Sequence, residues 1–168
     1  MFYHVPYALD NIAAWYDNAP SGNTDARALA LAQWYNLALE TQAQVTRLLC
    51  KYDIEILRVT GQPYNDVQDM FDEIDSGKLQ VTSDNSSHPA WLEDTSFNFS
   101  VWHDLAHYEA FSSFEYGGEV KAYEKQLEHI ELYSVLPYKD LRHALFVEVL
   151  GQAASMIWNG KFSTQKVF

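Results

Sequence analysis

Two histidines and an aspartate occupy positions at which their side chains can converge on a metal ion. His103 and His107 are four residues apart, so on a helix their imidazoles lie one above the other on a single face, and Asp104 is expected between them in angle, within about 100° of arc. Imidazole and carboxylate groups are ligands of Zn, Fe and Mn. The spacing therefore predicts a site for one divalent metal ion, whose binding should weaken as the pH falls through about 6 and imidazole becomes protonated.

Glu119 is the predicted fourth ligand. It follows Gly117-Gly118, which is predicted to be a turn, and it begins the next helix on the side that carries Val120, Tyr123 and Leu127. That side is predicted to be buried, and a buried carboxylate requires a countercharge. A turn at the glycine pair would bring Glu119 to the two imidazoles, where a divalent cation would compensate both carboxylates.

Other polar residues are candidates for the surroundings of the metal. Glu148 and Gln152 are four residues apart on the predicted last helix, near the edge of its apolar stripe. They are expected beside the metal or in contact with a substrate. His88 precedes a proline in a loop, where it either closes over the pocket or belongs to a plain turn with a packed tryptophan. His129 and His143 fall on polar faces and are predicted to be exposed, and no residue is assigned as catalytic.

The elements that must position these residues are predicted to be helices. Residues 24–52 contain no glycine or proline and repeat apolar residues at helical spacing, and residues 65–74 form a shorter amphipathic pattern. The C-terminal half indicates three helices, at about residues 97–115, 119–135 and 139–158.

The longest irregular stretch is predicted between residues 78 and 95, with a short extended piece at residues 79–82. Short turns between consecutive helices make them antiparallel neighbours. The sequence therefore predicts an all-α fold: one domain over residues 1–168, built as a bundle of about five to six helices with one long irregular loop.

Composition excludes several classes of protein. The 168 residues include 23 Asp and Glu against 11 Lys and Arg, a net charge of -12, which would repel a nucleic acid backbone. No stretch approaches the roughly 18 apolar residues of a membrane span. Cys50 is the only cysteine, so an internal disulfide and a thiolate metal cluster are excluded. The N-terminus resembles neither a secretion signal nor a transit peptide, so a cytoplasmic location is expected. The sequence is compatible with a homo-oligomer but does not establish the oligomeric state.

The metal motif resembles that of a known family. His103-Asp104-Leu105-Ala106-His107, followed by eleven residues and Glu119, matches the His-Asp-x-x-His-x11-Glu signature of the coenzyme Q biosynthesis protein 4 family. The resemblance covers residues 99–137 and extends through Gly118-Glu119-Val120, Lys121, Glu124 and Leu136-Pro137. It implies an all-helical fold and a metal held by the four motif residues. It also implies a neighbouring apolar cavity that takes a polyprenylated aromatic ring precursor.

The chain also departs from that family. It is shorter and lacks a mitochondrial transit peptide, and Asn98-Phe99-Ser100-Val101 stands where the family has an arginine shortly before the His-Asp pair. From residue 99 onward, the pattern is also similar to small uncharacterised proteins encoded by tailed phages. That second resemblance includes residues 146–152 and 162–166.

The motif and the resemblance together favour a metalloenzyme that acts on a small aromatic or lipophilic substrate. The family is linked to removal of a ring carboxyl with hydroxylation at that carbon. One alternative is a lipid-binding or scaffold protein with a structural metal whose coordination is filled by protein groups. Another is a metal-dependent hydrolase, because His-Asp-x-x-His is one methylene from the His-Glu-x-x-His of zinc peptidases. Asp104 is shorter than glutamate, so a direct ligand role is expected for it rather than that of a base.

A phosphohydrolase of the His-Asp type would need a further histidine upstream and an aspartate on a later helix. His88 and Asp140 are the only rough matches. His88 lies in a loop and not on a helix, so this alternative is disfavoured.

Overall fold

A computed structural model of the chain describes residues 7–19, 24–84, 87–161 and 165–168, and for residues 24–27 the backbone only. Residues 162–164 of the phage-like pattern lie outside these ranges. The elements in chain order are α1 (Leu9–Asn18), α2 (Thr24–Tyr52), β1 (Glu55–Val59), α3 (Val67–Asp75), β2 (Lys78–Thr82), α4 (Glu93–Ala110), α5 (Tyr116–Tyr133), α6 (Tyr138–Phe146), a π-helical turn (Val147–Gly151) and α7 (Gln152–Asn159).

The protein is mostly helical, as predicted, but it is not purely α. Strands β1 and β2 pair in parallel, with Glu55 opposite Lys78 and Val59 opposite Thr82, and α3 connects them. The extended piece at residues 79–82 was predicted, because buried Leu79 and Val81 alternate with more exposed positions. Strand β1 was not predicted, because its residues do not alternate in the same way.

Helix α2 is the central element of the core. Its side chains Trp34, Leu37 and Leu48 are fully buried, and the helix packs against α4 and α6. Helix α1, which was not predicted, packs against α7. Within the described residues, none of the helices combines the length and the apolar composition needed to cross a membrane.

The connection between α4 and α5 differs from the prediction. Helix α4 ends at Ala110, and the turn is made by residues 111–115, where Phe111 adopts a left-handed conformation with φ of 47°. Phe111 is exposed. The Gly117-Gly118 pair is not the turn but lies in the first turn of α5. Gly118 lies so close to the backbone of Ser113 that a Cβ atom would fall 1.7 Å from its carbonyl oxygen. The missing side chain thus lets the turn pack tightly on α5.

The predicted last helix is interrupted. A π-helical turn at Val147–Gly151 separates α6 from α7, and Gly151 contacts the ring of Tyr16 on α1, where a Cβ atom would lie 2.5 Å from Cδ2. Turns of this kind insert one extra residue into a helix and occur frequently at functional sites.

Candidate metal centre

Three predicted ligands meet between α4 and the first turn of α5. His103 Nε2 lies 3.0 Å from Glu119 Oε2 and 3.1 Å from His107 Nε2. His107 Nε2 lies 3.5 Å from Glu119 Oε1. The spacing of the histidines on α4 brings their rings into edge-to-face contact, with centroids 4.6 Å apart, and the tight turn at Gly118 holds the carboxylate against them. Two imidazole nitrogens and a carboxylate therefore share one small volume.

These separations match those of donors around a metal ion. Ligand atoms about 2.1 Å from a common ion and separated by angles of roughly 90° to 109° lie about 3.0 to 3.4 Å apart. Two ligands on opposite sides of the ion would be about 4.2 Å apart, and the shortest approach between each two of the three residues is less than this. The donors therefore lie on one side of a potential ion, in the two-histidine, one-carboxylate arrangement that leaves other coordination positions open.

Two further side chains orient the imidazoles. The amide oxygen of Gln126 accepts a hydrogen bond from Nδ1 of His103 at 3.1 Å, and the hydroxyl of Ser112 lies 2.9 Å from Nδ1 of His107. With its proton on Nδ1, the neutral His103 ring presents the Nε2 lone pair to the ligand group. Sequence analysis did not predict Gln126, although it lies seven residues after Glu119 and therefore on the same face of α5.

The charges of the three groups are strongly coupled. Burial would raise the pKa of Glu119, but the facing His103 and hydrogen bonds from both imidazoles lower it to about 2. Burial would lower the pKa of His103, but the charge of Glu119 raises it to about 9. The pKa of His107 is lowered, chiefly by burial. Near neutral pH the metal-free site therefore holds a proton on His103, next to an ionised Glu119 and a neutral His107.

Asp104, the remaining predicted ligand, lies outside this group. At about 100° per residue, it is roughly 100° from His103 and 60° from His107 around the helix, not between them. It lines the same cavity and makes no hydrogen bond to any residue in the described ranges. Burial, with help from the charge of Glu119, raises its pKa to about 7, although the neighbouring His103 opposes the shift. Asp104 can therefore exchange a proton near neutral pH.

A cavity of about 450 Å³ opens beside the three ligands. Its apolar wall includes Phe97, Phe99, Phe114, Val149 and Met156, and the ring of Phe114 packs edge-on against His107. The loop after β1 and the end of β2 complete the wall. The predicted residues Glu148 and Gln152 line the same cavity, as does Gln165. The cavity is large enough for a small aromatic molecule.

His88 is not a lid. Its side chain is buried behind Glu148, with Nε2 3.2 Å from Glu148 Oε2 and 3.1 Å from the indole nitrogen of Trp34. Its Nδ1 accepts a hydrogen bond from the Ala90 backbone, and its ring stacks on Trp91 with centroids 4.2 Å apart. The plain turn with a packed tryptophan is thus the form that the structure adopts.

The prediction that His129 and His143 are exposed was wrong. His129 is 3% exposed: its Nε2 donates to Glu109 at 2.6 Å and its Nδ1 accepts from the indole of Trp102 at 3.0 Å. The face of α5 that carries His129 is covered by α2, where the side chain of Gln44 donates a hydrogen bond to the carbonyl of His129. His143 is half-buried and donates from Nε2 to the carbonyl of Phe168.

Comparisons with family models, with curated proteins and with solved structures found no match to this chain. The assignment of the site therefore depends on its own geometry. That geometry joins His103, His107 and Glu119 directly and places Asp104 on the adjoining cavity wall.

Proposed function

We propose that the protein binds one divalent metal ion, Zn, Fe or Mn, through His103, His107 and Glu119, and that it is a metalloenzyme acting on a small aromatic or lipophilic molecule. The observation that carries the proposal is the meeting of two imidazole nitrogens, 3.1 Å apart, with the Glu119 carboxylate at the wall of a cavity lined by aromatic rings. One oxygen of that carboxylate lies 3.0 Å from His103 Nε2, and the other lies 3.5 Å from His107 Nε2.

An enzyme is favoured over a scaffold because the coordination is incomplete. Structural metal sites are usually closed by four protein ligands, whereas catalytic sites keep a position open. Here three ligands lie together, and a cavity adjoins them. The resemblance to the coenzyme Q biosynthesis protein 4 family supports ring decarboxylation with hydroxylation. When bound, the ion would supply Lewis acidity or, if it is iron, oxygen activation.

Each group of side chains then has a defined task. His103, His107 and Glu119 hold the ion, while Gln126 and Ser112 keep the two imidazole rings in the orientation that binding requires. The phenylalanine rings of the cavity contact the substrate and exclude water. Asp104 lies on the cavity wall, where its carboxylate can accept or return a proton.

Asp104 also supports a second candidate, a metal-dependent hydrolase. A carboxylate that lines the cavity beside the ligand group but outside it is placed to act as a general base for water activation. A direct ligand role for Asp104 would exclude this candidate, so substitution of Asp104 tests it.

We expect Asp104→Asn to lower metal affinity by less than about tenfold, because Asp104 is not part of the ligand group and contributes mainly long-range attraction. Metal affinity is measured by competition with a chelator of known affinity. Asp94→Asn, an exposed position on the same helix, is the control. A loss of metal as large as that of a Glu119 variant would identify Asp104 as a ligand and remove the hydrolase candidate.

Metal binding should release protons. Because the pKa of His103 in the metal-free protein is about 9 and a coordinating imidazole must be unprotonated, apparent affinity should fall about tenfold per pH unit below about pH 9. The raised pKa moves this dependence above the value of about 6 expected for an unperturbed imidazole. Calorimetry at pH 8 in buffers of different ionisation enthalpy should detect about one proton released per ion. Binding without proton release would contradict the assigned charge state.

The proposal as a whole is tested by elemental analysis of protein purified without added metal. We expect about one ion per chain, removable by a chelator. Protein that neither retains a divalent ion nor binds Zn²⁺, Fe²⁺, Mn²⁺ or Co²⁺ would refute it.

A further inference from the structure

A second group of polar side chains lines the cavity on elements other than those that hold the ligands. Glu148 comes from the π-helical turn, and Gln165 comes from the C-terminal segment. The amide nitrogen of Gln165 donates to Glu148 Oε1 at 3.1 Å, while His88 lies 3.2 Å from Oε2. Glu148 is 8% exposed. The carboxylate is therefore held from two sides and faces the cavity.

This group has more hydrogen-bond acceptors than donors. A carboxylate offers about four lone-pair directions, and its two bonds to the protein use only some of them. The side-chain amide nitrogen of Gln165 is used in its hydrogen bond to Glu148. The side-chain oxygen of Gln165 is therefore the atom that remains available as an acceptor. That oxygen is buried and has no partner among the described residues. A buried acceptor without a partner destabilises the folded protein, and a ligand that brings a donor would remove this cost.

The charges in the cavity favour the same kind of ligand. Asp104, Glu119 and Glu148 contribute three carboxylates to its wall, and none of the described lining residues is a lysine or an arginine. A divalent ion at the histidines would offset the charges of Asp104 and Glu119, which are its neighbours. Glu148 is not part of the ligand group, so its carboxylate remains available to a ligand in the cavity.

We propose that Glu148 and Gln165 form a second binding site for the ligand, an anchor that accepts hydrogen bonds from a hydroxyl or ammonium group. The anchor therefore selects molecules that carry a hydrogen-bond donor at a distance from their metal-binding atom. This inference rests on the proposed metal site and adds the substrate class. His88 holds the carboxylate in position from behind, and the extra residue of the π-helical turn directs Glu148 into the cavity.

The test uses the full chain loaded with Co²⁺ and three series of probes. The series are 4-(aminoalkyl)phenols, 4-(hydroxyalkyl)phenols and 4-alkylphenols, each with one to three carbons in the chain. In each probe the phenol oxygen can bind the ion, and the group at the end of the alkyl chain can contact Glu148. Dissociation constants are measured from the visible absorbance of bound Co²⁺ and by calorimetry.

In the native protein at least one donor-bearing probe should bind about 10- to 100-fold more tightly than its alkylphenol counterpart, the range expected for a hydrogen bond to a charged group. Glu148→Gln should reduce this preference by about tenfold or more, and Gln165→Met should reduce it as well, without changing Co²⁺ affinity. Preference for the amine alone identifies a cationic ligand, and preference for both series identifies an uncharged donor. Glu128→Gln, an exposed carboxylate on α5, is the control and should leave the preference unchanged.

The inference is overturned if donor-bearing probes gain nothing over alkylphenols, or if their advantage survives both the Glu148 and the Gln165 variants. Failure of the proposed function is distinguishable, because it appears as failure to bind Co²⁺ in the native protein. In that case the probes are compared on the metal-free chain. A preference there that is lost in Glu148→Gln supports the anchor, and its absence refutes it.

Discussion

Glu119→Gln is expected to abolish metal binding at physiological concentrations while leaving the fold in place. The substitution keeps the shape of the side chain but removes the negative charge that stabilises the cation between His103 and His107. Loss of a residue that merely orients a ligand typically costs about 10- to 100-fold in affinity. Loss of a ligand itself should therefore exceed about 100-fold. Competition with a chelator, monitored through Co²⁺ absorbance, measures the change.

The matched control for this variant is again Glu128→Gln, which makes the same chemical change on the same helix at an exposed site. It should bind metal with native affinity. His107→Ala should lose the metal as Glu119→Gln does, and it should also lower the melting temperature, because His107 is 1% exposed and its removal leaves a cavity. Native metal content in either ligand variant would exclude the assigned site.

Gly118→Ala should be among the most destabilising single-methyl additions in this protein. The new Cβ atom would fall 1.7 Å from the carbonyl oxygen of Ser113 and 2.6 Å from its carbonyl carbon. Because the obstructing atoms are backbone, the turn between α4 and α5 must open. We expect a loss of about 3 kcal/mol or more in the free energy of unfolding, the upper end of overpacking costs. This corresponds to a fall of roughly 6 to 12 °C in melting temperature.

Gly117→Ala supplies the comparison, since it adds the same methyl group one residue earlier. A Cβ atom at Gly117 has no neighbour within 4 Å, and alanine is favoured over glycine within a helix by about 0.5 to 1 kcal/mol. This variant should therefore be as stable as the native protein or slightly more so. Gly118→Ala should also weaken metal binding, because Glu119 is the next residue. Equal melting temperatures for the two variants would show that the turn accommodates a methyl group at position 118.

The helices were largely predictable because their signals are local. Helix α2 has a long run with apolar residues at helical spacing. Helix α3 is capped by Asp66, whose side chain accepts hydrogen bonds from two backbone amides of the first turn. The spacing of His103 and His107 likewise made a shared face predictable. These features depend on residues within one or two turns of each other, which a sequence displays directly.

The features that were not predicted from the sequence depend mostly on contacts between segments far apart in the chain. Strand β1 is defined by pairing with β2, more than twenty residues later, and no alternation marks it. His129 is buried because Gln44 and Glu109 approach it from other helices. The position of Asp104 was misjudged for a different reason: the angle per residue already places it beyond His107, so this error was avoidable from the sequence.

The π-helical turn at Val147–Gly151 determines how α7 is rotated about the helix axis relative to α6. A regular α-helix advances by about 100° per residue, so deleting one residue from this turn would restore α-helical geometry and rotate all of α7 by about that angle relative to α6. Gln152 and Met156 would then leave the cavity, and the face of α7 that packs on α1 would turn away from it. The cavity wall therefore depends on the number of residues in this turn as much as on their identity, which makes the segment far less tolerant of deletion than of substitution.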